Sequence, residues 1–426
     1  MGIVRRTMIL MFMIGVVMIT GCGNHSIIEN NQPALESTPV REEIVVWHTY
    51  SEKETQVFEN ILIPLFEEEY PLIKIIPVRQ SYNAQLKSAI ISRASANKPP
   101  DIIRMDVVWV PSFAKLDLLY PVSEFEDFDH IKHQFYEEPL QSNFYNGNYY
   151  GVPLNTNTKV SIYNRELLEA SGYDQPPETM DEFKNLIKKD QYVIGVSGLT
   201  TWETLHYFTG FGGSVTDPAN TRATGYLDSK KSVDAVNQLL TLYQSGKLSP
   251  GLLEGNANTW QGVIDGNYFV IDEGPWFYSV NHPEDIELIN ELTVAHPFPI
   301  SDGTRAPLGG ENLVISKATK HKESAWEFLK WMTKVEQQTY LAQTGLIPAN
   351  RLVELSGFFD AFPYYQTYLD SLDDVLLRPT VSQWLNIDAI YEEYLTLILT
   401  EKISVEEGLQ RAAIEIDQIL EDEKGR

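Results

Sequence analysis

An α/β protein in two lobes is what this sequence predicts, and three observations carry that prediction. Between Ile44 and Ile103, short β-branched runs alternate with helical patterns in the order strand, helix, strand, helix, strand. That order makes βαβ units and a parallel sheet. A second alternation of the same kind begins after residue 155. The length, 426 residues, with 43% hydrophobic and 22% charged residues, supplies core for two or three domains and excludes a disordered chain.

Charge and cysteine usage narrow the function classes. The formal net charge of −26 would repel a phosphate backbone, so no nucleic acid is expected as a partner. The single cysteine, Cys22, allows neither an intrachain disulfide nor a cysteine metal cluster. The eight histidines show no metal-ligand spacing, so no metal and no cofactor is expected.

The chain opens with Arg5 and Arg6 and then an apolar run from Met8 to Thr20, MILMFMIGVVMIT. A membrane-spanning helix needs about 20 residues; this shorter run fits the apolar region of a signal peptide. It ends in Ile19-Thr20-Gly21-Cys22, which resembles the bacterial lipobox. Residues 1–21 are therefore expected to be a signal peptide, and Cys22 the lipidated first residue of the mature chain. Two acyl chains hold firmly to a bilayer, which puts the protein at the cell membrane, facing the extracellular or periplasmic side. An uncleaved anchor with an incidental cysteine is the other reading. Residues 22–43 are polar, with Pro33 and Pro39, and read as a flexible tether. No later stretch approaches the length of apolar sequence that spans a bilayer.

Ile44-Val45-Val46-Trp47 reads as a buried strand. Glu52 to Tyr70 carries apolar residues at Val57, Phe58, Ile61, Leu62, Leu65 and Phe66, a helical spacing that Pro64 should kink or cut short. Ile73 to Val78 reads as the second strand, Leu86 to Ser95 as a helix, and Asp101-Ile102-Ile103 as the start of the third strand. Val160 to Tyr163 and Tyr192 to Val196 are strand-like, and Arg165 to Ser171 is a short helix. Thr179-Met180-Asp181-Glu182 has the form of a capping box, as does Ser404-Val405-Glu406-Glu407. The latter opens a terminal helix with an apolar stripe at Val405, Leu409, Ala412, Ala413, Ile416, Ile419 and Leu420. Lys230 to Ser245 and Ser324 to Thr333 also read as helices. Gly210-Phe211-Gly212-Gly213 lacks the Lys and Ser/Thr of a phosphate loop.

From Ile44 to the C-terminus the chain resembles the extracellular solute-binding proteins of carbohydrate ABC transporters, the maltose-binding-protein-like receptors. The segments that carry the resemblance occur in order: Glu43 to Thr49, Phe66 to Ile75, Lys98 to Ile103, Tyr150-Gly151-Val152-Pro153-Leu154 with Ile162-Tyr163-Asn164, Pro177 to Glu182, Gly274-Pro275-Trp276, Leu308-Gly309-Gly310, and Gly345 to Asn350. One departure is Met180, where the family usually has Trp. The resemblance implies two discontinuous α/β lobes joined by a three-segment hinge, with crossings near Leu154 to Thr158, Pro307 to Glu311 and Leu346 to Asn350. The expected lobes are 44–154 plus 311–345 and 155–310 plus 346–426. It further implies a receptor that binds a sugar in the interlobe cleft and hands it to ABC permease subunits, acting as a monomer and not as an enzyme.

A sugar needs hydrogen-bond partners for its hydroxyls and flat apolar surface for its C–H faces. In a parallel sheet such groups belong at the carboxyl ends of strands. Tyr50 and Glu52 follow the first strand, and Asp106 and Trp109 follow the third. Asn157 lies at the first crossing, Trp202 follows the strand at Tyr192–Val196, and Gly309, Gly310 and Glu311 lie at the second crossing. Trp276 is the leading candidate, because Gly274 and Pro275 restrict the backbone that aims its ring. Aromatic residues at several of these positions favour an oligosaccharide over a monosaccharide. Two alternatives stay open: the same fold binding a peptide, a polyamine or a metal ion, and a secreted enzyme acting on polysaccharide. For the enzyme, Asp272 and Glu273 are adjacent on a strand, point to opposite faces and cannot flank one bond.

Overall fold

The computed structural model describes residues 41–188, 192–255, 258–359 and 362–424; Cys22, the leader and the tether as far as Val40 lie outside the described residues. A six-stranded sheet begins with β1 (Glu42–His48), β2 (Ile73–Arg79) and β3 (Ile102–Asp106). β1 lies between the other two and is parallel to both. Its β-branched run is buried on both sides, Ile44 and Val46 against one core and Trp47 against another.

The link from β1 to β2 is helical throughout: α1 (Glu52–Val57), a π-helical turn (Phe58–Leu62) and α2 (Ile63–Glu69). Ser51 and Glu54 form a reciprocal capping box at its start. Pro64, expected to kink this helix or cut it short, follows directly on the π-helical turn that interrupts the α-helical pattern, and that widened turn accommodates the missing N–H and the ring's clash with the preceding carbonyl. α3 (Ala84–Ser95) links β2 to β3.

The sheet is completed by strands from far along the chain: β4 (Gly151–Asn157), β9 (Gly309–Ile315) and β10 (Ile347–Pro348). The order is β10-β4-β9-β3-β1-β2. β9 runs antiparallel to β3 and to β4, so the sheet is mixed, not parallel as the βαβ order alone predicts. A second sheet, of order β8-β5-β7-β6, contains β5 (Val160–Asn164), β6 (Ile194–Gly195), β7 (Val270–Glu273) and β8 (Thr293–Pro297). The strand expected at Tyr192 to Val196 is thus only two residues long.

Helices cover both sheets. α4 (Val110–Lys115) follows β3. In the second sheet's layer come α5 (Met180–Ile187), capped by the Thr179–Glu182 box, then α6 (Thr201–Gly210), α7 (Lys230–Gln244) and the one-turn α8 (Trp276–Ser279). α9 (Lys322–Met332) and α10 (Val335–Ala342) return to the first sheet, where Phe328 and Trp331 pack on Phe66. α11 (Trp384–Leu399) and α12 (Val405–Lys424) close the second core. The stripe Val405, Leu409, Ala412, Ala413, Ile416 and Leu420 is buried, as its spacing requires.

The chain passes from the first sheet to the second at Thr158 and Lys159, returns between Pro297 and Gly309, and leaves the first sheet again after Pro348. A cleft opens where these passages gather.

Candidate functional site

The cleft has a volume of about 1100 Å³ and is lined from both sheets. Strand register assembles its floor. Glu311 of β9 pairs with Asp106 of β3 on one side and with Asn155 of β4 on the other, and Gly309 pairs with Asn157. Four polar side chains from three distant stretches of sequence therefore meet at the ends of their strands.

Charges are held firmly there. Arg104 is buried and meets the Glu311 carboxylate at 3.0 Å, and the Asn155 amide donates to Glu311 at 2.7 Å. Burial pushes the Glu311 carboxyl above its ordinary value, against the pull of Arg104 and Asn155. Asp106 accepts from the Val108 amide at 2.9 Å and from the Tyr82 hydroxyl at 2.6 Å. The Asn157 Oδ1 is buried and has no hydrogen-bond partner among the described residues.

Both candidate glycines are required by their surroundings. A Cβ at Gly309 would lie 2.1 Å from the Asn157 Oδ1 and 2.9 Å from the Trp202 ring, so glycine leaves room for both. Gly310 has φ +125, and a Cβ there would lie 2.4 Å from the Asn155 carbonyl oxygen.

The opposite wall is aromatic. Trp202, in the first turn of α6, and Trp276, at the start of α8, have ring centroids 6.0 Å apart and planes tilted by 33°. Gly274 is again a spatial necessity, since a Cβ there would lie 2.3 Å from the Trp276 ring. The Lys159 Nζ and the Arg378 guanidinium each lie 5.2 Å from the Trp202 ring centroid, within cation–π range.

Asp106, Asn157, Trp202, Trp276, Gly309, Gly310 and Glu311 thus converge on one cleft. Tyr50 and Trp109 line the same cleft but are largely buried, and only Glu52 among the candidates lies outside it. Tyr50 reaches the cleft floor but is only 2% exposed; its ring is packed against Phe58 and lies under the Arg104 guanidinium, 4.6 Å away, so it offers no face to a ligand. Glu52 does not line the cleft; it turns to solvent and pairs with Arg79 at 2.8 Å. Glu54, two residues on and about 200° around the helix, lines the cleft instead. Trp109 is 5% exposed, packed into the core, and stacked under Tyr82 at 5.7 Å and 11°. The open aromatic surface at that end is Tyr82, 59% exposed.

Sequence reasoning missed Tyr82, Glu54, Lys87, Arg378 and Asp388, all of which line the cleft. Tyr82 follows β2, so the rule that selected the ends of β1 and β3 would have found it. Arg378 lies in the irregular stretch between Ser371 and Gln383 and carries no local signal.

Asp272 and Glu273 do point apart. Asp272 accepts from Ser161 at 2.6 Å and from Tyr207, while Glu273 accepts from the Trp260 Nε1 at 2.7 Å and from the Gly274 amide.

The sequence profile of the bacterial extracellular solute-binding protein family matches residues 62–367. A maltotriose-binding protein of Pyrococcus abyssi is 27% identical over 303 residues, 68% of this chain and 62% of that protein. An arabinooligosaccharide-binding protein of Halalkalibacterium halodurans is 24% identical over 309 residues, 68% of this chain and 66% of that protein. Among solved structures, the GacH receptor of Streptomyces glaucescens superposes with a TM-score of 0.75 at 21% identity, covering 90% of this chain and 99% of that one.

Proposed function

The chain belongs to the bacterial extracellular solute-binding protein family, and on that premise we propose that it is the sugar receptor of an ABC transporter, binding an oligosaccharide in the cleft between its sheets and delivering it to permease subunits. The observation that carries this reading is the pairing of surfaces in one cleft. The Trp276 ring, beside Trp202, offers flat apolar area, and the floor of Asp106, Asn157 and Glu311 offers hydrogen-bonding groups. A pyranose ring presents those two chemistries in the same way, C–H faces above and below and hydroxyls around the rim.

Size favours more than one ring. Pockets for small molecules run from about 300 to 1,000 Å³; this cleft, at about 1100 Å³, exceeds that range and is lined by Tyr82 as well as by the tryptophan pair. The sugar names of the two relatives described above agree with an oligosaccharide. Lipidation at Cys22 would tether the receptor to the outer face of the membrane, beside its permease. The protein then acts as a monomer that binds without turnover.

Tryptophan fluorescence titration with mono-, di- and trisaccharides tests the reading. Trp202 and Trp276 line the cleft, so emission should shift on binding, with affinity rising from mono- to trisaccharide. A chain silent to every saccharide but responsive to peptides or polyamines would overturn it.

A further inference from the structure

The acidic groups facing the cleft are already served from within. Glu54 accepts the Ser51 amide at 2.8 Å and Asp388 the Thr201 amide at 2.7 Å. Asp106 and Glu311 hold the partners described above.

The cations are not all served. Arg104 pairs with Glu311 and Arg79 with Glu52. Lys87 and Arg378 line the same cleft and form no ion pair among the described residues. The Arg378 Nη2 donates to the Leu308 carbonyl at 2.9 Å, its guanidinium covers the Trp202 ring, and its buried Nε has no partner. The Lys87 Nζ lies 5.3 Å from the Trp109 ring centroid and makes no hydrogen bond to the described residues. Burial pushes the Arg378 pKa down, against the pull of Asp106, Asp388 and Tyr82. A desolvated cation without a directly bonded anion is a costly arrangement. A protein that keeps one on the wall of its binding cleft leaves the missing acceptor to the ligand.

We propose that the saccharide taken by this cleft carries a carboxylate, as a uronic acid unit does, and that Arg378 receives it, with Lys87 as the second cation. The inference rests on the saccharide reading above and adds the charge of the ligand. The planar guanidinium matches a carboxylate in a two-point contact that a hydroxyl cannot reproduce. The chain's net charge of −26 does not oppose this at close range, because charges beyond about 8 Å are largely screened at physiological salt.

The test is calorimetry on trisaccharides of galacturonate, glucuronate and guluronate, each against its carboxyl-reduced neutral form, with wild type, Arg378→Gln and Lys87→Gln. In wild type at least one acid should bind roughly tenfold to a hundredfold more tightly than its neutral form, the range of a charge-assisted hydrogen bond. Arg378→Gln should collapse that ratio towards one, and Lys87→Gln should reduce it. The ratio within one variant is insensitive to general damage to the fold. Equal affinity for acid and neutral forms in wild type overturns the charge inference and leaves the saccharide reading intact. A preference for acid that survives both substitutions overturns the assignment to these two cations. Binding of no member overturns the charge inference, while the saccharide reading stands or falls on the mono- to trisaccharide titration above.

Discussion

Replacing Gly274 by Ala should move the Trp276 ring without touching it chemically. A methyl at residue 274 would sit 2.3, 2.5 and 2.5 Å from three carbons of the indole. Carbon atoms rest at about 3.5–4.0 Å, so the ring must shift by about 1 Å or more. It can do so because the ring lies on the cleft wall and is only partly buried. Inside a closed core the same insertion costs about 1–3 kcal/mol of stability; here most of that should appear as lost affinity instead. Gly274→Ala is therefore expected to weaken oligosaccharide binding by about 1–2 kcal/mol, roughly 5- to 30-fold. Trp276→Ala should weaken it by about 1–3 kcal/mol, roughly 5- to 150-fold. Its stability loss should fall below the 3–5 kcal/mol typical of a fully buried Trp. Trp276→Phe keeps part of the stacking area and should recover part of the affinity. Melting temperature and affinity, measured side by side, decide the matter. A large fall in melting temperature with unchanged affinity would show that the ring serves the core, and the aromatic-wall argument would fail.

Three further outcomes follow from the same structure. His48 is buried between Tyr50 and Phe58, and burial, then Arg104 and Arg79, pushes its pKa down to about 4; Glu59 lies 3.6 Å away. Between about 4 and 6.5 the unfolded chain therefore binds a proton that the folded chain refuses, so His48 lowers stability as pH falls through that window, by up to about 3 kcal/mol. Urea unfolding across those pH values should show a flatter slope for His48→Phe; an unchanged slope would contradict the assignment. Gly310→Ala places a side chain at φ +125 and against the Asn155 carbonyl, so it should cost more than about 1–3 kcal/mol and weaken binding as well; unchanged stability would refute the steric argument. Cys22→Ser should leave the protein unlipidated and out of the membrane fraction, and wild-type processing and partitioning of that variant would reject the lipoprotein reading.

Much of the fold was legible because local signals agree with it. The βαβ alternation from Ile44 to Asp106, the Thr179–Glu182 capping box and the apolar stripe of the last helix all survive in the structure. The mixed sheet was not legible, because β9 arrives about 200 residues after β3 and nothing local specifies its antiparallel pairing. Among the site residues the errors are directional. Glu52 and Glu54 share one helical turn, but two positions on a helix differ by about 200°, so only one can face the cleft. The Ser51-x-x-Glu54 pattern, legible in the sequence, ties Glu54 to the helix start. Tyr50 and Tyr82 both follow parallel strands, and only packing against Phe58 and Arg104 separates the buried ring from the open one. Arg378 depends on a long irregular segment folding back to Leu308, a contact that no periodicity announces.

The central claim is that this cleft binds a saccharide and does nothing further to it. Titration calorimetry of the mature chain with a trisaccharide panel, followed by chromatography of the recovered sugar, tests it most directly. The account predicts one site per chain for at least one member, affinity that weakens in Trp276→Ala, and sugar recovered intact. Heat absent across the whole panel, or shortened sugar in the recovered fraction, would contradict it.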